Sequence, residues 1–142
     1  MATSEDVIEK IKAFEPQDGN WLELDDLLND LWSTGKQERF TAELFNVFER
    51  FPDDDGAGVL WSIVHGVERF KTYDRELVAS LRRQPSMMGL AMLMRIKNSG
   101  AKAVGGVEFV ALLTELLATP RLSPDLKEDV VDMIRRFSPA GN

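Results

Sequence analysis

Residues 86–98 read SMMGLAMLMRIKN, and this stretch decides the fold class because it is apolar on nearly every side when it is placed on a helix. A surface helix keeps one polar face for solvent, whereas a helix that is hydrophobic all round is buried from several sides. The stretch is therefore predicted to be the central helix of a larger helical assembly, with no solvent stripe. Its methionines suit the irregular gaps of such a core.

The regions on both sides of this helix are predicted to be helical as well. Apolar residues recur at helical spacing almost everywhere in the chain, and no convincing alternation of the kind found in strands is present. Residues 137–142 are expected to form a flexible tail. Eight helices are predicted, at about residues 4–14, 20–32, 37–51, 56–70, 73–83, 86–98, 104–118 and 123–137.

Four prolines divide these helices at regular intervals. Pro16, Pro52, Pro85 and Pro120 are 36, 33 and 35 residues apart, and each breaks a helix because proline has no N–H to donate. A helical hairpin between successive breaks is typical of an α-solenoid. We therefore expect one all-α domain over residues 1–142: a short right-handed, HEAT-like α-solenoid of about three helix hairpins with capping helices. An irregular helical bundle is the alternative.

The composition argues against several classes of protein. The 142 residues are 44% hydrophobic and 29% charged, as in an ordinary globular domain. Cysteine is absent, which excludes a disulfide framework, a cysteine nucleophile and a cysteine zinc site. No apolar run approaches the ~18 residues that span a bilayer, and no secretory signal is visible. A cytoplasmic protein without membrane contact is expected.

The net charge of −7 is distributed unevenly. Residues 1–55 hold 15 acidic and 5 basic side chains, a charge of −10, whereas residues 56–142 hold 9 acidic and 12 basic ones, a charge of +3. Phosphate groups require a basic surface, so nucleic acid is not an expected partner. A basic protein surface would be attracted instead. The candidate docking residues on the second helix are Asp25, Asp26 and Asp30. The alternative is that they form a solvent-exposed face without a binding role.

The fourth predicted helix carries the only histidine. Trp61, His65 and Glu68 form one stripe on this helix, which could bind a partner or form an internal hydrogen-bond network. Arg95 and Asn98 share a face of the sixth helix, and a buried arginine needs a carboxylate, for which Glu68 is the candidate. A stripe of small residues that would admit a neighbouring helix is formed by Gly58, Ser62 and Gly66.

No motif for catalysis or metal binding is recognisable. His65 and Glu68 could form an acid–base pair, but no nucleophile or phosphate loop accompanies them. The acidic run before Gly56 does not match an EF-hand, because its twelfth position is Val64 instead of glutamate. We predict a turn and helix start there, and include its carboxylates among the partner-binding residues. No enzyme activity, cofactor or metal is expected. The acidic run consists of Asp53, Asp54 and Asp55.

The segment FPDDDGAGVLWSIVHGVE at 51–68, with MRIKN at 94–98, resembles small immunity proteins of bacterial polymorphic-toxin, contact-dependent inhibition and type VI secretion systems. The resemblance covers about residues 45–100. It implies a HEAT-like helical stack that binds and neutralises one cognate toxin domain in the cytoplasm of the producing cell. Lys97 departs from the pattern, which has an apolar residue there. The matching positions are Trp61, His65, Glu68, Tyr73, Arg95 and Asn98.

The sequence thus predicts an immunity protein whose partner is a toxin domain with a basic surface, such as a nuclease. Three alternatives remain. The chain could be a HEAT-like adaptor of another cytoplasmic assembly, or an acidic mimic of nucleic acid that inhibits a DNA-binding enzyme. The third is an enzyme built on His65 and Glu68. The free protein is expected to be a monomer or a homodimer.

Overall fold

The computed structural model describes residues 3–138, and this part of the chain is predominantly helical, which confirms the all-α class. It contains eight α-helices, a short 3-10 helix at Gln37–Phe40 and a two-stranded ribbon. The element bounds are α1 Ser4–Ala13, α2 Leu22–Thr34, α3 Thr41–Arg50, α4 Leu60–Val67, α5 Asp74–Arg83, α6 Met87–Asn98, β1 Ala103–Val104, β2 Val107–Glu108, α7 Phe109–Leu117 and α8 Pro124–Phe137.

Capping residues set several helix starts. Thr3 forms a capping box with Asp6, in which each side chain accepts a hydrogen bond from the other residue's backbone N–H. Ser123 caps α8 by accepting the N–H of Leu126, and Pro124 occupies the first helical position. These two helices therefore begin where their local sequences favour a helix start.

The fourth helix begins later than the sequence predicted. The prediction placed its start at residue 56, but α4 starts at Leu60 and ends at Val67. Gly56, Ala57 and Gly58 have φ angles of +61°, +53° and +90°. A right-handed helix cannot run through consecutive left-handed residues, so the apolar periodicity extended the prediction too far.

The seventh predicted helix also contains an error, because its first residues form the ribbon. β1 and β2 pair antiparallel with Val104 opposite Val107. Between them Gly105 and Gly106 have φ angles of +54° and +81°, which a two-residue hairpin with two left-handed central residues requires. The carboxylate of Glu108 then caps α7. The adjacent glycines were the overlooked signal for this turn.

The helices are arranged in two rows. Consecutive helices are in contact in four pairs: α1 with α2, α3 with α4, α5 with α6, and α7 with α8, of which α3 with α4 has the least contact. Between pairs, α1 contacts α3 and α3 contacts α5, while α2, α4, α6 and α8 contact one another in that order. The ribbon contacts both α5 and α7. The even-numbered helices thus form one row, while α1, α3 and α5 form a second row that the ribbon connects to α7.

The pairing of helices into hairpins is shifted by one helix relative to the prediction. They were expected between successive prolines, as α2 with α3, α4 with α5, and α6 with α7, but those pairs contact each other less than the four pairs above. Pro16, Pro52, Pro85 and Pro120 instead lie in the connections inside the close pairs. Proline ends a helix and is well suited to turns, so the prolines mark the reversals and not the boundaries between repeats.

α6 lies within the row of even-numbered helices and is only partly buried. Its apolar residues Met88, Leu90, Met92 and Leu93 are at most 4% exposed. The expectation that it has no solvent stripe is wrong, because α4 and α8 flank it and leave its outer side open. The half-exposed stripe consists of Met87, Ala91 and Met94.

The predicted end of the eighth helix is confirmed, but Phe137, which was also counted in the flexible tail, does not belong to a tail. It is the last residue of α8, and its ring lies 6.3 Å from that of Phe109 in an edge-to-face arrangement. The rest of the predicted tail, residues 139–142, lies outside the described residues. No helix within residues 3–138 has the length and apolarity needed to cross a membrane.

Candidate interaction surface

The surface of α4 presents the aromatic part of the predicted binding stripe. Trp61 is half-buried and His65 is exposed, with their rings 6.1 Å apart and inclined by 31°. Nδ1 of His65 is 3.9 Å from Oε1 of Glu68, which is too long for a hydrogen bond. The three residues therefore share one side of α4 without forming a tightly bonded network.

Glu68 connects α4 to α6 through Arg95. Nε of Arg95 donates to Oε2 at 2.7 Å, and Nη2 donates to Oε1 at 2.8 Å. The hydrogen bonds to Glu68 raise the pKa of Arg95. The arginine side chain is 45% exposed, so the pair that was expected in the core lies at the surface. Asn98, the third expected member, is exposed in the last turn of α6 and does not join this pair.

Tyr73 lies immediately before α5 and is half-buried against the core. Burial raises the pKa of its phenol, and the negative charges of Glu68 and Asp74 raise it further. Tyr73 is therefore close to the Glu68–Arg95 pair. Its ring also packs against the core, so only part of it is accessible to a partner.

A groove of about 460 Å³ opens beside Trp61 between α4, α6 and α8. α6 supplies five lining residues, of which Met87, Ala91 and Met94 stand at positions i, i+4 and i+7 in one line along the helix. Leu90 and Met133 are each 4% exposed and form the floor. The groove therefore has an apolar interior between charged edges. Its lining consists of Trp61, Met87, Leu90, Ala91, Met94, Arg95, Asp129, Asp132, Met133 and Arg136.

Two serine caps position the helices on either side of this groove. The hydroxyl of Ser86 caps α6, and the backbone N–H of Met87 donates to the carbonyl of Pro52 at 2.7 Å. The hydroxyl of Ser123 caps α8 and donates to Oδ1 of Asp53 at 2.6 Å. The loop between α3 and α4 therefore holds the first turns of both α6 and α8.

The acidic run at residues 53–55 is thus partly structural. Asp53 accepts the Ser123 hydroxyl, and Oδ1 of Asp54 accepts the N–H of Gly56 at 2.8 Å. Asp55 is half-buried. The prediction of a turn is confirmed, but these carboxylates do not stand at a helix start, because α4 begins only at Leu60.

The three acidic residues predicted on α2 do not form one patch. Asp26 and Asp30 are exposed and lie about 40° apart around the helix, while Asp25 is half-buried and about 100° from Asp26. Trp32 is on the same side as Asp25 and packs on Gly66 of α4, where an added Cβ would lie 2.7 Å from its ring. Of the predicted stripe of small residues, Gly66 therefore admits a neighbouring helix as expected. Gly58 does not, because it precedes α4 and no atom lies within 4 Å of an added Cβ.

The residues that α8 contributes to the groove were not among the predicted site residues. Asp129, Asp132, Met133 and Arg136 stand at i, i+3, i+4 and i+7, so they share one face of this helix. In the sequence this pattern is that of an ordinary solvated helix. Only the packing of α8 against α6 places these residues beside Trp61.

Neither a protein family model, nor a curated protein, nor a solved structure matches this chain. Within residues 3–138, no three side chains of His, Asp or Glu are grouped as a metal site would require. The proposal for function therefore depends on the geometry and chemistry of the groove and its surroundings.

Proposed function

We propose that this chain is an immunity protein that binds and neutralises a cognate secreted bacterial toxin domain in the cytoplasm of the producing cell. The observation that carries the proposal is the apolar groove at Trp61, with its charged edges, on the outer side of the even-numbered helices. Protein interfaces are enriched in tryptophan, methionine and arginine, and a few such residues dominate their binding energy.

The order of helix contacts supports the architecture that belongs to this proposal. A short HEAT-like solenoid would have successive hairpins whose corresponding helices contact each other. In this chain the even-numbered helices do so throughout and the odd-numbered helices do so from α1 to α5. Each hairpin in such a stack contacts mainly its neighbours, so one row of helices remains available as an extended binding surface. In this protein that surface is the row α2, α4, α6 and α8.

The charge of the chain favours a basic partner. With a net charge of −7, the protein attracts a positively charged surface and repels nucleic acid. A nuclease toxin has to bind phosphates and therefore carries a basic cleft, which makes it one suitable target. An acidic inhibitor would compete with the nucleic acid for that cleft.

The geometry also supports an inhibitor without catalytic activity. Both carboxylate oxygens of Glu68 accept hydrogen bonds from Arg95, so this group is poorly placed to act as a base beside His65. No cofactor or metal takes part in the proposed function. A stoichiometric inhibitor neutralises at most one equivalent of toxin, so neutralisation of a several-fold molar excess of toxin by this chain would support the enzymatic alternative.

The direct test is growth of a host cell that expresses the C-terminal domain encoded by the gene immediately upstream, with and without this chain. Rescue of growth, together with a complex that survives size-exclusion chromatography, is the expected result. An immunity protein for an unrelated toxin serves as the control and should not rescue. Toxicity that this chain fails to relieve would overturn the proposal and favour an adaptor in another assembly.

A further inference from the structure

The groove has the dimensions of a binding site for a short helix. Its α6 wall extends from Met87 to Met94, seven residues or roughly 10 Å along the helix axis, which corresponds to about two helical turns. Ala91 stands in the middle of this wall, where its small side chain leaves room between the two methionines. A methionine-lined groove can adapt its shape to the side chains that enter it.

Some charged groups at the edge of the groove are paired with each other, and others are not. Glu68 already binds Arg95. Asp129 and Asp132 form no ion pair with any group in residues 3–138, and neither does Arg136. Two carboxylates and one guanidinium therefore remain for a partner, which gives these unpaired groups a net negative charge although residues 56–142 together carry +3.

We infer that this groove receives an amphipathic helical segment of the toxin, two turns long, whose apolar side chains enter between Trp61 and Met94 and whose lysines or arginines pair with Asp129 and Asp132. This inference rests on the proposed function and adds to it the chemistry of the partner. Helix-in-groove recognition uses apolar anchors at i, i+3, i+4 and i+7, and the length of the α6 wall suits one such set. The α8 carboxylates then select for basic flanking residues.

The test compares the binding of groove variants to the toxin domain encoded immediately upstream, with association and dissociation rate constants from surface plasmon resonance. Ala91→Gln fills the middle of the groove without changing any charge. It should weaken binding about 30-fold, mainly through faster dissociation, because it blocks a central anchor. Ala42→Gln on α3 is the matched control, since Ala42 is exposed in the other row of helices, and it should bind like the wild type.

A second pair of variants separates local contact from general attraction. Asp129→Asn with Asp132→Asn, and Asp26→Asn with Asp30→Asn, remove the same amount of charge from exposed positions. The α2 variant should slow association only, by a few-fold, because distant charges act through steering. The α8 variant should also speed dissociation and weaken binding at least about tenfold, because its carboxylates contact the partner.

The outcomes distinguish this inference from the proposed function. If the wild type rescues growth and binds the toxin while the folded groove and α8 variants bind within about threefold of it, the inference is wrong and the immunity proposal stands. If the wild type neither rescues nor binds, both are overturned. If light scattering shows a wild-type dimer that Ala91→Gln converts to a monomer without loss of toxin binding, the groove is filled by a second copy and the inference is likewise overturned.

Discussion

Replacing Glu49 by alanine should destabilise the protein by removing a link between α3 and α5. The Glu49 side chain is 9% exposed and accepts three hydrogen bonds. Oε2 accepts the hydroxyl of Ser80 at 2.8 Å and Nη2 of Arg83 at 2.9 Å, while Oε1 accepts Nε of Arg83 at 3.0 Å. The same contact raises the pKa of Arg83.

The expected loss of unfolding free energy depends on whether each hydrogen-bond partner of Glu49 can bind water after the substitution. Ser80 is 2% exposed, so its hydroxyl would lose its carboxylate acceptor in the interior, at a cost of about 1–3 kcal/mol. The side chain of Arg83 is 50% exposed and can bind water instead, so its loss contributes at most about 1 kcal/mol. We expect Glu49→Ala to lower the free energy of unfolding by about 2–3 kcal/mol, and the melting temperature by roughly 10 °C.

Urea unfolding followed by circular dichroism measures this loss, and a double-mutant cycle tests its cause. Ser80→Ala in the Glu49→Ala background removes the unpaired hydroxyl and should restore about 1 kcal/mol. Glu43→Ala is a suitable control, since it replaces another half-buried glutamate on α3. A loss below about 0.5 kcal/mol for Glu49→Ala would place it among neutral surface changes. That result, or the absence of recovery in the double variant, would refute the reasoning.

Other variants test the close packing and the tyrosine. Gly56→Ala should lower the free energy of unfolding, measured by chemical denaturation, by about 2–4 kcal/mol. The backbone is left-handed at this residue, and the added Cβ would lie only 2.9 Å from two side chains. Gly58→Ala, with φ +90° but open space, should cost less. Gly66→Ala gains about 1 kcal/mol of helix propensity, but the added methyl group crowds the Trp32 ring. We expect a net loss of unfolding free energy of about 1 kcal/mol and altered tryptophan fluorescence. A gain in stability would contradict this. Because the pKa of Tyr73 is raised from 10.0, the folded state retains a proton that the unfolded state loses, and stability should fall as pH rises past 10. Absorbance of this single tyrosine should show tyrosinate at higher pH in the native protein than in urea, and Tyr73→Phe should remove the pH dependence.

Most of the helices could be predicted because their signals are local. Apolar periodicity located all eight, and Thr3 and Ser123, which cap α1 and α8, are residue types that favour a helix start. The errors fall at residues 56–59 and 103–108, where consecutive residues adopt left-handed φ angles. Apolar periodicity carries no information about such backbone conformations, whereas the glycines in these segments indicate them.

The candidate surface was only partly predictable. Trp61 and Glu68 could be assigned to one side of α4 from their spacing, and Arg95 was the suggested partner of Glu68. The contribution of Asp129 and Asp132 was not foreseeable, because they lie more than sixty residues away from Trp61 in the chain. Their importance follows only from the position of α8 beside α6.

The sequence by itself determined the all-α class, the helix breaks at four prolines, and the acidic character of the protein. The tertiary structure alone decided which helices form hairpins and which side of α6 stays open as the groove. The physical reason is that helical periodicity specifies which face of a segment is apolar, but the hydrophobic effect is non-directional and does not specify which other apolar face covers it. Here α4 and α8 cover α6 on its two sides and leave Met87, Ala91 and Met94 accessible to a partner.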